Sequence, residues 1–164
     1  MSGERPQLPA TLLAEIYRHA RESFPNECCG FVLGSGNEAE WVACENMQDR
    51  YHAADPETYP RTAATAYTFG GKDLLRLARS LDSDKPATVV YHSHVRVGAY
   101  FSDEDARAAT SAGWPVDYLV VDCQEHEVRE ARLFRRRTDV PGEANTPEAY
   151  VEIARYVGDG AKLA

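Results

Sequence analysis

Ala87-Thr88-Val89-Val90-Tyr91-His92-Ser93-His94, followed after seven residues by Ser102-Asp103-Glu104-Asp105, is the stretch on which the reading of this chain turns. Pro86 opens a run of β-branched and aromatic residues, which predicts a strand over 87–94. Side chains alternate along a strand, so His92 and His94 share one face at its end. Residues 95–101 read as a loop with Gly98, and Ser102 as the N-cap of a helix over roughly 103–112, closed by Gly113. Neutral imidazole is a good zinc ligand, and a catalytic zinc takes three protein ligands and leaves a fourth position open. Asp105, in the first turn of that helix, completes the set if the loop folds the helix back over the strand end. Singly, these residues read as a helix cap and a strand end; together they predict a site for one zinc ion per chain on His92, His94 and Asp105.

Outward from this centre, Leu8, Leu12, Leu13, Ile16 and Ala20 form a helical stripe over 8–22, with His19 on its exposed side and Pro25-Asn26 ending it. Residues 29–33 and 40–44 read as antiparallel strands around Gly34-Ser35-Gly36-Asn37. Residues 46–66 show no period and read as a long loop; His52 lies within it. Tyr67 to Phe69 reads as a short strand, and 71–82 as a helix burying Leu74, Leu75, Leu77, Ala78 and Leu81. Strands follow over 116–121 and 128–134, with His126 in the turn between them. Tyr150, Val151, Ile153, Ala154 and Val157 suggest a last amphipathic helix starting at Thr146-Pro147. This order predicts an α/β (α+β) domain with a central mixed sheet flanked by helices. Residues 1–137 form the domain, and 138–164 a C-terminal helical extension of it that could also meet a second copy in a homodimer.

Composition narrows the function classes. The chain has 164 residues, 43% hydrophobic and 27% charged, as in a globular domain. It holds no apolar run long enough to span a membrane, and residues 1–6 lack a signal-peptide core, so a cytoplasmic protein is expected. The formal charge of −8, from 18 basic and 26 acidic residues, argues against nucleic acid as a partner. The clearest basic cluster, Arg135-Arg136-Arg137, reads as a solvated strand edge. Cys28, Cys29, Cys44 and Cys123 form no CxxC pair and read as buried free thiols, Cys28 and Cys29 pointing to opposite faces.

His92-Ser93-His94, seven residues, Ser102, two residues, Asp105 resembles the JAMM motif of the MPN+ (Mov34/JAB-like) zinc metalloproteases. Glu27, within Pro25-Asn26-Glu27-Cys28-Cys29-Gly30-Phe31, matches the upstream glutamate of the compact bacterial members. The resemblance spans residues 8 to about 134. It departs from the pattern at Val95, where many members carry proline.

The resemblance implies a fold similar to the cytidine deaminases and the activity of a zinc metallopeptidase, a deubiquitinase-like isopeptidase. The bond cleaved would follow the C-terminal tail of a ubiquitin-like or sulfur-carrier protein. Zinc lowers the pKa of a bound water to about 7; Glu27 would act as general base and then general acid, and Ser102 as an oxyanion donor. An extended tail could add beside the sheet as a further strand, with 46–66 as the other wall of the groove. The alternative is an MPN-type interaction domain that is non-catalytic or activated by a partner. Deamination would need His-X-Glu and Pro-Cys-X-X-Cys, which this chain lacks.

Overall fold

The computed structural model describes residues 8–160. Residues 1–7, where the leader reading falls, and 161–164, the end of the expected extension, lie outside the described residues. Six strands form one sheet in the order β2-β1-β3-β4-β5-β6: β1 Cys29–Leu33, β2 Glu40–Cys44, β3 Ala87–Val95, β4 Asp117–Cys123, β5 Val128–Arg136 and β6 Tyr150–Val157. Only the β3–β4 pair is parallel. The mixed central sheet agrees with the sequence reading.

Helices cover both faces. On one, α1 (Ala10–Ser23) buries Leu12, Leu13, Ile16, Tyr17 and Ala20 against Val89, Tyr91, Leu119, Val121 and Leu133. On the other, α3 (Gly71–Ser80) and α4 (Asp103–Ala112) pack Leu77, Ala106 and Ala109 over Phe31, Val90, Val120 and Phe134. The period of two along β3 explains the division: Val89 and Tyr91 face α1, while Val90 and the histidines beyond it face α4. Cys28 joins the first core and Cys29 the second, and all four cysteines are buried and free. Gly30 sits where strand and ring approach closely, since a Cβ there would lie 2.3 Å from the Val42 carbonyl and 2.4 Å from the Tyr91 ring.

Four local expectations are corrected. The segment 138–164 was expected to be helical, yet it supplies a 3-10 turn over Pro147–Ala149 and then the edge strand β6, paired antiparallel with β5. The stretch 46–66 is not all loop, because α2 spans Gln48–Ala54. In α3, Leu74 and Leu75 are 39% and 50% exposed and Ala78 is also exposed, whereas Leu77 and Ser80 are buried. Ser80 sets that rotation, its hydroxyl donating to the Leu77 carbonyl and accepting from the Ala87 N–H. His19 is not turned to solvent: its Nδ1 lies 2.6 Å from the Tyr91 hydroxyl, which also accepts from Trp41 Nε1 at 2.7 Å.

The Tyr67–Phe69 strand reduces to a single bridge between Asn46 and Phe69. The arginine run is engaged within the chain. Arg135 pairs with Asp117, Arg137 pairs with Asp139, and Arg136 donates to Thr110, Tyr150 and two loop carbonyls. Among the described residues no helix is long and apolar enough to cross a membrane.

The two sides of this packing are separable by mutation. Ile16→Ala, at a fully buried position, should cost about 2–5 kcal/mol in denaturant unfolding. Leu75→Ala should stay within about 0.5 kcal/mol; equal losses would show that α3 is rotated from the orientation described.

Candidate metal centre

β3 and β4 run parallel and are joined through α4, so the carboxyl end of β3 opens into the crevice where βαβ units place their ligands. Val95, at the position where many members of the resembling family carry proline, is the last residue of β3 and lies in register with Cys123. The chain then turns sharply through Arg96 (φ 69°) and Gly98 (φ 97°). Arg96, in a region that side chains rarely adopt, has its guanidinium 4.8 Å from the centre of the Phe24 ring. The turn brings the Gly98 carbonyl to 2.9 Å from His94 Nδ1. The Nδ1–H donates to it, which leaves the Nε2 lone pair free on the site side.

α4 begins as the sequence predicts. Ser102 is its N-cap in a reciprocal capping box: the Asp105 N–H donates to Ser102 Oγ and the Ser102 N–H donates to Asp105 Oδ2, both at 3.0 Å. The same carboxylate faces the imidazoles, with Oδ1 at 3.1 Å from His92 Nε2 and Oδ2 at 3.1 Å from His94 Nε2. The two Nε2 atoms are themselves 3.1 Å apart. All three residues are buried. They form a group of the kind that holds a metal ion.

The donor set fits zinc. With Nδ1 of His94 carrying its proton, an imidazole lone pair and a carboxylate converge with at most one proton on His92 to separate them. A cation resolves that crowding of acceptors. Zinc–nitrogen bonds of about 2.0–2.1 Å in a tetrahedron set neighbouring ligands about 3.3 Å apart, close to the spacing here. His92 Nδ1 is buried without a hydrogen-bond partner among the described residues, and the Tyr67 ring stacks on His92 at 4.5 Å between centroids.

Charge states follow from burial and neighbours. Burial lowers the His92 pKa, opposed by Asp105, which keeps the ring neutral as a ligand must be. Burial pushes the Asp105 carboxyl up, but its contacts with the two imidazoles outweigh it and hold it well below the usual carboxylate range. Burial, reinforced by Asp105 and Glu104 and opposed by Arg61, pushes Glu27 up to about 9. Without a cation nearby, Glu27 therefore holds its proton at neutral pH.

Glu27 precedes β1 and is fixed through its backbone. Its N–H donates to the Ala63 carbonyl at 2.8 Å, and its carbonyl accepts from Asn46 Nδ2 at 3.0 Å. Asn46 also donates to the Ala66 carbonyl and accepts from the N–H groups of Gln48 and Thr68. Ser93, between the two histidines, ties β3 to the next residue: its Oγ accepts from the Cys28 N–H at 2.8 Å, and its N–H donates to the Cys28 carbonyl at 3.1 Å.

Glu27, His94, Ser102 and Asp105 open on one cleft of about 640 Å³, with residues 58–61 and 64–67 on the far wall. Part of the 46–66 stretch thus lines the cleft, as expected for a groove wall. His52 does not line it, and its Nδ1 instead lies 2.7 Å from the Tyr59 carbonyl. Sequence reasoning gave no role to Asn46, Ser93 or Tyr67. The position of Ser93 inside His-X-His was the one available signal.

The family model for prokaryotic homologs of the JAB domain matches residues 9–136. The chain belongs to the prokaryotic JAB-domain family. Within that family's reach, it is 30% identical over 127 residues to the CysO-cysteine peptidases of Mycobacterium tuberculosis and Mycobacterium bovis, covering 77% of this chain and 79% of each relative. The solution structure of a Desulfitobacterium hafniense protein shares this chain's fold at TM-score 0.56 and 16% identity, over 87% of this chain and 86% of that one.

Two measurements probe the site without turnover. In chelator-treated protein the folded state keeps the Glu27 proton and the unfolded state releases it above pH about 4.5. Stability should therefore fall as pH rises from about 4.5 to about 9, by up to about 1.4 kcal/mol per unit from this group. Glu27→Gln should flatten that slope; an unchanged slope would mean that the carboxyl is not buried as described. Asn46→Ala removes four hydrogen bonds and should make 55–66 an early site of limited proteolysis. Cleavage as slow as in wild type would show that other contacts hold the segment.

Proposed function

We propose that this chain is a zinc-dependent peptidase that hydrolyses the bond following the C-terminal tail of a sulfur-carrier or other ubiquitin-like protein. The observation that carries the reading is the convergence of His92, His94 and Asp105 at 3.1 Å beside Glu27, in a cleft open to a peptide. The name of the mycobacterial relatives, CysO-cysteine peptidase, supports the substrate class. Zinc held by His92, His94 and Asp105 would supply a Lewis acid and activate a water at neutral pH.

The protein's own groups do the rest. Glu27 takes the proton of the attacking water on its carboxylate and returns it to the departing amine. Ser102 Oγ already accepts from the Asp105 N–H, so its own O–H remains free to donate to the oxygen that becomes negative. The cap that shapes α4 thereby orients both a ligand and an oxyanion donor. Gly98 and Ser93 act as positioning residues, the first through the His94 ring and the second through Cys28. A tail lying along the cleft would run between α4 and the wall formed by 58–67. A reducing, cytoplasmic setting suits the four free thiols.

The test is a comparison of variants by metal content and by turnover of a carrier-protein tail fusion. His92→Ala should lose both. Glu27→Ala should keep zinc and lose about 10²–10⁴ in kcat, and Ser102→Ala should keep zinc and lose about 10²–10³. Near-normal turnover in Glu27→Ala would remove its proton-transfer role. A zinc-loaded wild type that binds carrier tails without cleaving them would favour the interaction-domain alternative.

A further inference from the structure

The two histidines of the metal centre are held in different ways. His94 is anchored through Nδ1, which lies 2.9 Å from the Gly98 carbonyl. A metal-binding histidine ordinarily has such a partner, which fixes its tautomer and its ring plane. His92 has none: its Nδ1 is buried without a hydrogen-bond partner among the described residues. Its neighbours in register, Cys29 on β1 and Val120 on β4, share its face of the sheet and are buried beside it. What meets the His92 ring is Tyr67, face to face, at 4.5 Å between centroids and 22° between planes. Tyr100 touches His94 differently, edge-on at 4.9 Å and 64°, from an exposed position.

Tyr67 can anchor a neighbour because it is itself anchored. The peptide groups on either side of it are tied to Asn46. The Ala66 carbonyl accepts from Asn46 Nδ2 at 3.0 Å, and the Thr68 N–H donates to Asn46 Oδ1 at 3.1 Å. The Thr68 carbonyl accepts from the Met47 N–H at 2.9 Å, and the buried Phe69 ring meets Tyr67 edge-on at 5.8 Å. Rotation of the imidazole about its Cβ–Cγ bond would break the stack, so the ring plane and the direction of Nε2 are fixed together.

From this contrast we infer that Tyr67 is the positioning residue for His92, its ring taking the place of the hydrogen bond that His92 lacks. The inference rests on the zinc reading and adds a residue to that site. An imidazole whose Nε2 holds a cation is electron-poor, and the electron-rich face of a phenol attracts it more strongly. The stack therefore favours retention of the metal and does more than fill space. The role needs the ring and not the hydroxyl, so phenylalanine should replace Tyr67 and an aliphatic residue should not. His94 already has the Gly98 carbonyl, so the edge contact from Tyr100 is dispensable for binding the metal.

The experiment measures the zinc affinity of the full chain, by competition with a chromophoric chelator, in wild type, Tyr67→Phe, Tyr67→Leu and Tyr100→Leu. Tyr67→Leu should bind zinc about tenfold more weakly, as loss of a contact that orients a ligand does. Tyr67→Phe and Tyr100→Leu should each stay within about threefold of wild type. Undiminished affinity in Tyr67→Leu, or an equal loss in Tyr100→Leu, would overturn the positioning role while leaving the metal centre intact. A loss in Tyr67→Phe as large as in Tyr67→Leu would assign the effect to the hydroxyl and overturn the role of the ring. Wild type offers a second readout that needs no substitution: the ring protons of His92 should be displaced upfield by the Tyr67 ring, in metal-free and zinc-loaded protein alike. His92 ring resonances at ordinary positions would overturn the stack, whether or not Tyr67→Leu folds. Failure of wild type to bind zinc at all would overturn the zinc reading and this inference with it.

Discussion

Two buried imidazole nitrogens 3.1 Å apart, each 3.1 Å from one oxygen of the same carboxylate, are the constraint around which the rest of this protein is arranged. Buried lone pairs facing one another are unfavourable unless a cation or a shared proton lies between them. Keeping them there requires a rigid strand end, a turn that fixes one imidazole and a helix start that fixes the carboxylate. β3 is rigid because it lies in the middle of the sheet, paired with β1 on one side and β4 on the other. The turn through Arg96 and Gly98 places the carbonyl that orients His94.

Asp105 shows how little separates a structural role from a chemical one. Its N–H and one carboxylate oxygen complete the capping box, and both oxygens still face the histidines. Reading it as a helix cap and reading it as a metal ligand are therefore compatible, because the cap restricts the rotation of the carboxylate before any metal arrives. The same economy holds for Ser93, whose side chain ties the strand that carries the histidines to the residue after Glu27, just before β1. Preorganisation of this kind is what metal and catalytic sites need from the groups around them.

Much of this was legible in the sequence. The bounds of β1, β2 and α4 match the expected ranges, because short apolar runs beside Gly and Pro, or a Ser cap with a Gly stop, carry local information. His92, His94 and Asp105 could be grouped because period two along a strand and a cap after a short loop fix relative positions. What failed was decided by tertiary contacts. Tyr150–Val157 carries apolar residues at helical spacing, yet it also alternates Val151, Ile153 and Val157, and the open edge of β5 selected the strand. α2 is seven residues long, too short to display a period. The face of α3 turns on Ser80, a small polar residue that seeks its partners inside rather than in water. Asn46 left no local signature, since three of its four partners lie about twenty residues away.

The most direct test of the central claim is zinc-edge X-ray absorption on the metal-loaded protein, read beside metal content. One zinc per chain, with two imidazole nitrogens and a carboxylate oxygen at about 2.0–2.2 Å and no sulfur, is the expected result. A zinc–sulfur shell near about 2.3 Å, or protein that takes up no zinc at all, would contradict it.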